Sequence, residues 1–456
     1  MSSDATRSDI LRPIKQRSRW YFPALGVAAV VAGLWAIGWV YQLHHGLAVT
    51  GLSDWGSGGG VTWGTYIGLF IWWVGIAHGG IILSAAVRLL GMKRYQPVAR
   101  LAELLTIGAL MMAGLMIIVH LGRPDRVVWS VVLAYPRTIH TSPLIWDVTV
   151  ITLYFVLTAT YLALTLRYDV HRLQDELPDT FGPLYRVLTL GYSEREDPIV
   201  ERMVWWLALA IIILAPLLLH GGVIPWLFQL LPSMPGWYDS VQGPQFLTIA
   251  LSSAISGVVI LSYLFRWRYD WGHLFTDHVF RGLSMWLGLF ILLFLWLQLQ
   301  QIIGGVFAPP LSVAVWMDAV LSTPLYWFAI GLAALTLAYL FATVLRPELF
   351  SPERTVVAGV AILIATFTEK VLFVVEGLMY PGFGLYYSVP GTYTPSIIEL
   401  SAVAGTVAMV VMFFLMVSKV IPVIELHVIE EIEGHGGAAR SDGGSRGERT
   451  DEEVKP

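Results

Sequence analysis

Long runs without a charge recur along all 456 residues. Each needs only about 20 apolar residues to cross the hydrocarbon core of a bilayer. The pattern predicts ten spans, at about 21–43, 61–87, 101–120, 143–166, 203–220, 245–265, 282–306, 324–345, 355–378 and 396–418. The apolar stretch 222–231, with Pro225 and Pro232 around it, is too short to cross and is expected to lie in the interface. A basic leader precedes the first span, which is long enough to stay in the membrane, so no cleavable signal peptide is expected. Residues 434–456, opening Gly434-His435-Gly436-Gly437, are rich in Gly, Ser, Arg and Glu and are expected to be a disordered tail.

Composition agrees: 56% of residues are hydrophobic and 13% charged, against about 25% charged in a soluble domain. The expected fold class is all-α and polytopic. Lysine and arginine positions set the orientation. With the N-terminus in the cytoplasm, 24 of the 28 basic residues fall inside, among them Arg12, Lys15, Arg88, Arg94, Arg100, Arg266 and Arg281. Arg123, Arg126 and Arg137 share one outer loop, and Lys370 lies within a span. The expected location is the cytoplasmic (inner) cell membrane, with both termini on the cytoplasmic side.

The spans repeat. Thr141-Ser142-Pro143-Leu144-Ile145-Trp146 matches Ser322-Thr323-Pro324-Leu325-Tyr326-Trp327 at an offset of 181, and His78-Gly79-Gly80-Ile81-Ile82-Leu83 matches Ser256-Gly257-Val258-Val259-Ile260-Leu261 at 178. Spans two to five and six to nine therefore read as parallel, pseudo-symmetric four-helix bundles with the first and tenth spans peripheral. The expected division is a leader at 1–20, the first peripheral helix and an outer loop at 21–60, bundles at 61–220 and 221–380, the last peripheral helix at 381–430 and the tail at 431–456.

There is no cysteine. That excludes thiolate-bound iron–sulphur clusters, haem attached through Cys-x-x-Cys-His, disulfides and a catalytic thiol in this chain. Any iron–sulphur or covalent haem centre must sit on a partner.

An ionisable side chain within the bilayer costs about 2.5–3.5 kcal/mol on insertion scales, so each needs a reason. His120 closes the third span and Asp147 lies early in the fourth, which returns from the same side. A carboxylate and an imidazole at similar depth could exchange protons with a ligand. The bland alternative makes Asp147 a helix cap and His120 a headgroup contact, but Ser142 before Pro143 already reads as an N-cap. In the repeat, Asp147 corresponds to Phe328 and His120 roughly to Gln300, so one such site is expected. His78, between small residues, suits either a bound ring or close helix packing. A non-covalent haem between His120 and His220 is the lesser alternative. Glu369, Lys370 and Glu376 in the ninth span read as a proton path or a static ion network. Adjacent Glu369 and Lys370 point about 100° apart and need not pair. Glu103 and Glu399, near span ends, read as interfacial, as do Trp63, Trp146 and Trp327.

Gly75-Ile76-Ala77-His78-Gly79-Gly80, His120-Leu121-Gly122-Arg123-Pro124 and Ser142-Pro143-Leu144-Ile145-Trp146-Asp147 together resemble the NrfD/PsrC family of membrane quinone-reactive subunits. They are most like its larger ten-helix members, such as the ActC subunit of alternative complex III. The resemblance is concentrated at about 61–166. It implies a quinol site in the first bundle near the outer face, with menaquinone the expected species, beside an iron–sulphur partner subunit. It puts iron–sulphur clusters and haems on partners and no covalent cofactor here. Carried over by position, His120 and Asp147 would bind quinol and take its protons. Arg123 would organise the loop or the partner contact, and His78 and the Glu369–Lys370 region would belong to proton routes.

The expected function is the membrane subunit of a multi-subunit quinol oxidoreductase, with other membrane subunits beside it. Run backwards, the same site would reduce quinone. The rivals are a secondary transporter with parallel repeats and a non-catalytic membrane anchor.

Overall fold

The computed structural model describes residues 10–16, 18–52, 61–215, 224–384 and 390–426. The tail expected at 434–456 and His220 lie outside them. Ten helices among the described residues are long and apolar enough to cross a membrane. They are α1 (Tyr21–His45), α2 (Thr65–Leu89), α3 (Gln96–His120), α4 (Pro143–Leu173), α5 (Asp197–Ala215), α6 (Gln242–Tyr269), α7 (Asp277–Val306), α8 (Pro324–Leu345), α9 (Pro352–Met379) and α10 (Ile397–Val417). Predicted and observed helices correspond one to one. The largest differences in length are in α4 and α6; α4 runs on to Leu173, and its lower turns bury Leu166, Val170 and Leu173.

Helices α2, α3, α4 and α5 pack in a closed ring, and α6, α7, α8 and α9 form a second. These are the two pseudo-symmetric bundles, and α1 and α10 lie against each other as the peripheral pair. The bundles meet chiefly where α2 crosses α6 and α9. Glycine makes that crossing close: a Cβ on Gly79 would stand 2.3 Å from the Ala250 carbonyl oxygen, and one on Gly68 would stand 2.8 Å from the Val371 Cα. Without a hydrophobic force between helices in lipid, such backbone approach supplies the packing energy.

The repeat is visible in detail. The Trp146 indole donates to the Ile139 carbonyl at 2.6 Å, and its counterpart Trp327 donates to the Leu321 carbonyl at 2.7 Å. Each tryptophan thus ties the incoming loop to the first turn of its helix. Ser142 and Thr323 stand at the N-caps in extended conformation before Pro143 and Pro324, but neither hydroxyl makes a cap bond.

One helix face of the molecule carries most of the arginines, at the starts of α3, α7 and α9 and the ends of α2, α6 and α8; it is called the basic face below, and the opposite one the far face. Two segments outside the spans are packed here. Ile10, Leu11 and Ile14 of the leader are buried, and Ile421, Val423, Ile424 and Leu426 after α10 are buried too. Lys15 pairs with Glu176 at 2.7 Å, and Lys419 donates to the carbonyls of Pro13 and Gln16.

Candidate functional site

Asp147 sits just over one turn into α4 and is fully buried. Neither of its carboxylate oxygens has a hydrogen-bond partner among the described residues. It therefore does not cap the helix. His120, the last residue of α3, is half-buried, and its Nδ1 is also buried without a partner among the described residues. Both helix ends reach the far face, and α3 packs on α4. Buried polar atoms nearly always have partners. Two such groups thus stand at the ends of two helices that pack together.

Aromatic rings stand beside His120. Trp63 lies edge-on to the imidazole with centroids 6.5 Å apart, and stacks on Trp237 at 5.5 Å. Phe228 packs edge-on against both tryptophans, at 5.8 and 4.8 Å. Phe228 belongs to the short helix Ile224–Gln229 and is fully buried. The apolar stretch read as interfacial thus contributes a core side chain beside His120. Trp63 likewise is part of a packed cluster rather than only a headgroup anchor.

Below Asp147 a polar stripe follows one face of α4. Tyr154 and Thr158 come seven and eleven residues later, on the same side of a helix of 3.6 residues per turn. Both are buried, and neither hydroxyl has a partner among the described residues. The His78 ring of α2 meets Tyr154 edge-on at 4.5 Å, and His78 Nδ1 lies 2.7 Å from the Val74 carbonyl. The glycines after His78 serve packing: a Cβ on Gly80 would come 2.6 Å from Thr106 Oγ1 of α3.

One turn further, Tyr161 accepts from Arg88 Nε at 2.8 Å, and Arg88 Nη2 donates to Glu425 at 2.7 Å. Arg100, fully buried, pairs with Asp169, whose other oxygen accepts from the Leu426 amide at 3.2 Å. Ser84 donates to Glu103 at 2.7 Å. Glu103 is not interfacial but fully buried in this network. Glu399 is fully buried as well: it accepts from Tyr393, Gly51 and Ser396, at 2.7, 2.6 and 3.0 Å, and so holds the far-face loops over α2. Composition near a span end gives no sign of such burial, because part of it comes from far along the chain, as the Gly51 amide does for Glu399.

Arg123 lies elsewhere. Its guanidinium forks onto Asp125 at 3.0 and 2.9 Å, and both side chains are exposed on the far-face loop. That hydrogen bond holds the Asp125 carboxyl below the usual carboxylate range. In the second bundle Glu369, Lys370 and Glu376 are all buried. Despite pointing apart on the helix, Lys370 and Glu369 do pair, with Nζ 3.2 Å from Oε2. Lys370 Nζ also stands 3.5 Å from the centroid of the Phe246 ring. Tyr326, 3.3 Å from Gln298, lies in the electrostatic field of Glu369 and Glu376.

Comparison with known proteins agrees with this architecture. The family described as Polysulphide reductase, NrfD, matches residues 55–382. A membrane subunit of a putative dimethyl sulfoxide reductase from Halobacterium salinarum is 32% identical over 240 residues, covering 53% of this chain and 51% of that protein. The matched part is thus about half the length of that relative. A selenate reductase subunit of Mesobacillus selenatarsenatis is 22% identical over 88% of this chain and 94% of its own. The Hdr-like menaquinol oxidoreductase integral membrane subunit of Archaeoglobus fulgidus is 23% identical over 92% and 98%. With ten helices of membrane-crossing length and a family match over most of its residues, this chain is a multi-pass membrane protein of the NrfD polysulphide reductase family.

Proposed function

We propose that the chain is the quinol-oxidising membrane subunit of a respiratory oxidoreductase complex. Quinol, with menaquinol the favoured species, enters from lipid at the far face of the first bundle. Its two hydroxyl protons leave through Asp147 and His120, and its two electrons pass to an iron–sulphur centre on a partner subunit. The observation that carries this reading is Asp147: a carboxyl group, fully buried, with two oxygens lacking partners among the described residues. Such a group costs stability unless something binds to it. A quinol hydroxyl supplies the missing donor, and the imidazole at the neighbouring helix end supplies a second proton acceptor. The name of the Archaeoglobus relative, a menaquinol oxidoreductase subunit, points the same way.

In this reading the far face is the outer face and both termini are cytoplasmic, since the basic residues gather at the other end. The exposed loop bearing Arg123, Arg126 and Arg137 is the docking surface for the iron–sulphur partner. Reversal of the same steps would reduce quinone. In purified complex, Asp147→Asn and His120→Ala should each lower quinol-dependent electron transfer by about a hundredfold or more, the usual scale for a positioned proton acceptor. Normal turnover in both variants would leave the chain as an anchor or a transporter.

A second reading, proton translocation, is favoured by the stripe on α4. Asp147, Tyr154 beside His78, Thr158 and Tyr161 descend one helix face towards the Arg88–Glu425 pair. Glu369, Lys370 and Glu376 would form a corresponding path in the second bundle. Proton uptake into vesicles coupled to quinol turnover, and its loss in Tyr154→Phe with turnover retained, tests this.

A further inference from the structure

The outer wall of the second bundle has a cleft between α7 and α8, of about 360 Å3, that plays no part in the site above. Met285, Leu292, Leu337 and Phe341 line it, and Gly288 forms its floor. A Cβ on Gly288 would make ordinary van der Waals contact with Leu340 at 3.8 Å and would meet no backbone, so the position admits a side chain. The cleft has one charged end. Arg281, exposed at the basic face, lines its mouth.

That arginine is held in place. Its guanidinium stands 4.7 Å over the Phe350 ring, and Nη2 donates to the Pro347 carbonyl at 3.4 Å. Arg354 Nη1 donates to the Leu349 carbonyl at 2.9 Å, so two arginines converge on the single turn Pro347–Leu349. A guanidinium has five N–H donors, and one is used by Pro347. The others remain for two parallel contacts from the planar guanidinium to an oxyanion such as a phosphodiester. From Arg281 to Leu292 is eleven residues, or about 16 Å of helix, close to the thickness of one leaflet of a hydrocarbon core about 30 Å thick.

We propose that this cleft binds one anionic glycerophospholipid from the leaflet at the basic face, phosphate on Arg281 and one acyl chain along α7 over Gly288. Lipid tails are as apolar as leucine, so the apolar walls alone would not select a lipid. Selection comes from the charge at one end, reinforced by the second arginine on the same turn. A zwitterionic headgroup would set an ammonium against both arginines and bind less well.

The test uses the intact complex, exchanged into mixed micelles containing either phosphatidylglycerol or phosphatidylcholine, with retained lipids counted by native mass spectrometry. One phosphatidylglycerol per chain should survive collisional activation that strips phosphatidylcholine, a preference of at least about tenfold. Arg281→Gln should abolish that preference. Gly288→Leu, which fills the cleft without meeting backbone, should lower retention of both lipids at unchanged melting temperature. Inorganic phosphate at millimolar concentration should not displace the lipid. Equal retention of the two lipids by the wild-type complex would overturn the proposal, as would undiminished retention in Gly288→Leu or a cleft covered by a helix of another protein in the complex.

Discussion

His78 and Tyr154 meet edge-on across the first bundle, ring centroids 4.5 Å apart and planes inclined at 62°. The contact joins α2 to α4 two turns below Asp147, and it places a buried phenol hydroxyl without a partner among the described residues beside an imidazole. A static core would favour phenylalanine there. Tyr154→Phe should leave the melting temperature of the complex unchanged or raise it, since removing an unsatisfied buried hydroxyl is worth on the order of 1 kcal/mol. A fall in proton uptake in the same variant would then report function rather than damage, whereas a large fall in melting temperature would show that the hydroxyl has a structural partner.

The crossing of the bundles depends on Gly79. A Cβ there would stand 2.3 Å from the Ala250 carbonyl oxygen and 2.6 Å from the Ala254 Cβ, both fixed by helix geometry. Gly79→Leu should force α2 from α6 and destabilise by about 1–3 kcal/mol or more. Thermal unfolding followed by size-exclusion chromatography would detect it. Gly80→Ala, whose Cβ would come 2.6 Å from the Thr106 hydroxyl and 3.0 Å from the Ala102 carbonyl oxygen, should cost less, because its closest backbone approach is longer than that at Gly79.

Arg100 and Asp169 are both buried and paired. Losing the Asp169 carboxylate leaves the buried Arg100 charge facing Glu425 at 3.9 Å, so Asp169→Asn should destabilise by up to about 3–5 kcal/mol. It should also release the segment ending at Leu426, whose amide Asp169 accepts, and increase proteolysis after Val417. Arg123 provides the contrast. Arg123 is exposed and, among the described residues, pairs with Asp125 of its own loop, so Arg123→Ala should leave melting unchanged while reducing the salt sensitivity of partner association. Equal salt dependence in wild type and variant would place the docking surface elsewhere.

Lys370 and Glu369 form a buried ion pair at 3.2 Å. Lys370→Met alone should destabilise by about 3–5 kcal/mol, and Glu369→Gln added to it should recover most of the loss. Independent, additive losses would mean that each side chain has another partner that matters more.

The helices and bundles were legible because bilayer thickness imposes a length on every span and because Thr141–Trp146 and Ser322–Trp327 open equivalent helices. The short helix Leu311–Ser322 was not legible: at 12 residues it is too brief for the spanning criterion. Nor was the burial of Ile10, Leu11 and Ile14, which depends on a groove assembled from distant loops. Within the site, Asp147 and His120 stood out because charge is rare in apolar text. Tyr154 and Thr158 did not, since hydroxyls are common in spans and only the α4 face reveals their alignment. Glu399 was misplaced at the interface because one of its partners, the Gly51 amide, lies 348 residues away, and Glu103 because only helix packing brings the Ser84 hydroxyl of α2 onto it.

In the proposed mechanism quinol binds between the ends of α3 and α4. Photolabelling of the complex with an azidoquinone, competed by excess menaquinol analogue and mapped by peptide mass spectrometry, tests it most directly. Competed labels are expected within about two turns of His120 and Asp147, at 113–123 and 143–154, and should be lost in Asp147→Asn. Competed labels confined to the second bundle, with none on α3 or α4, would contradict it.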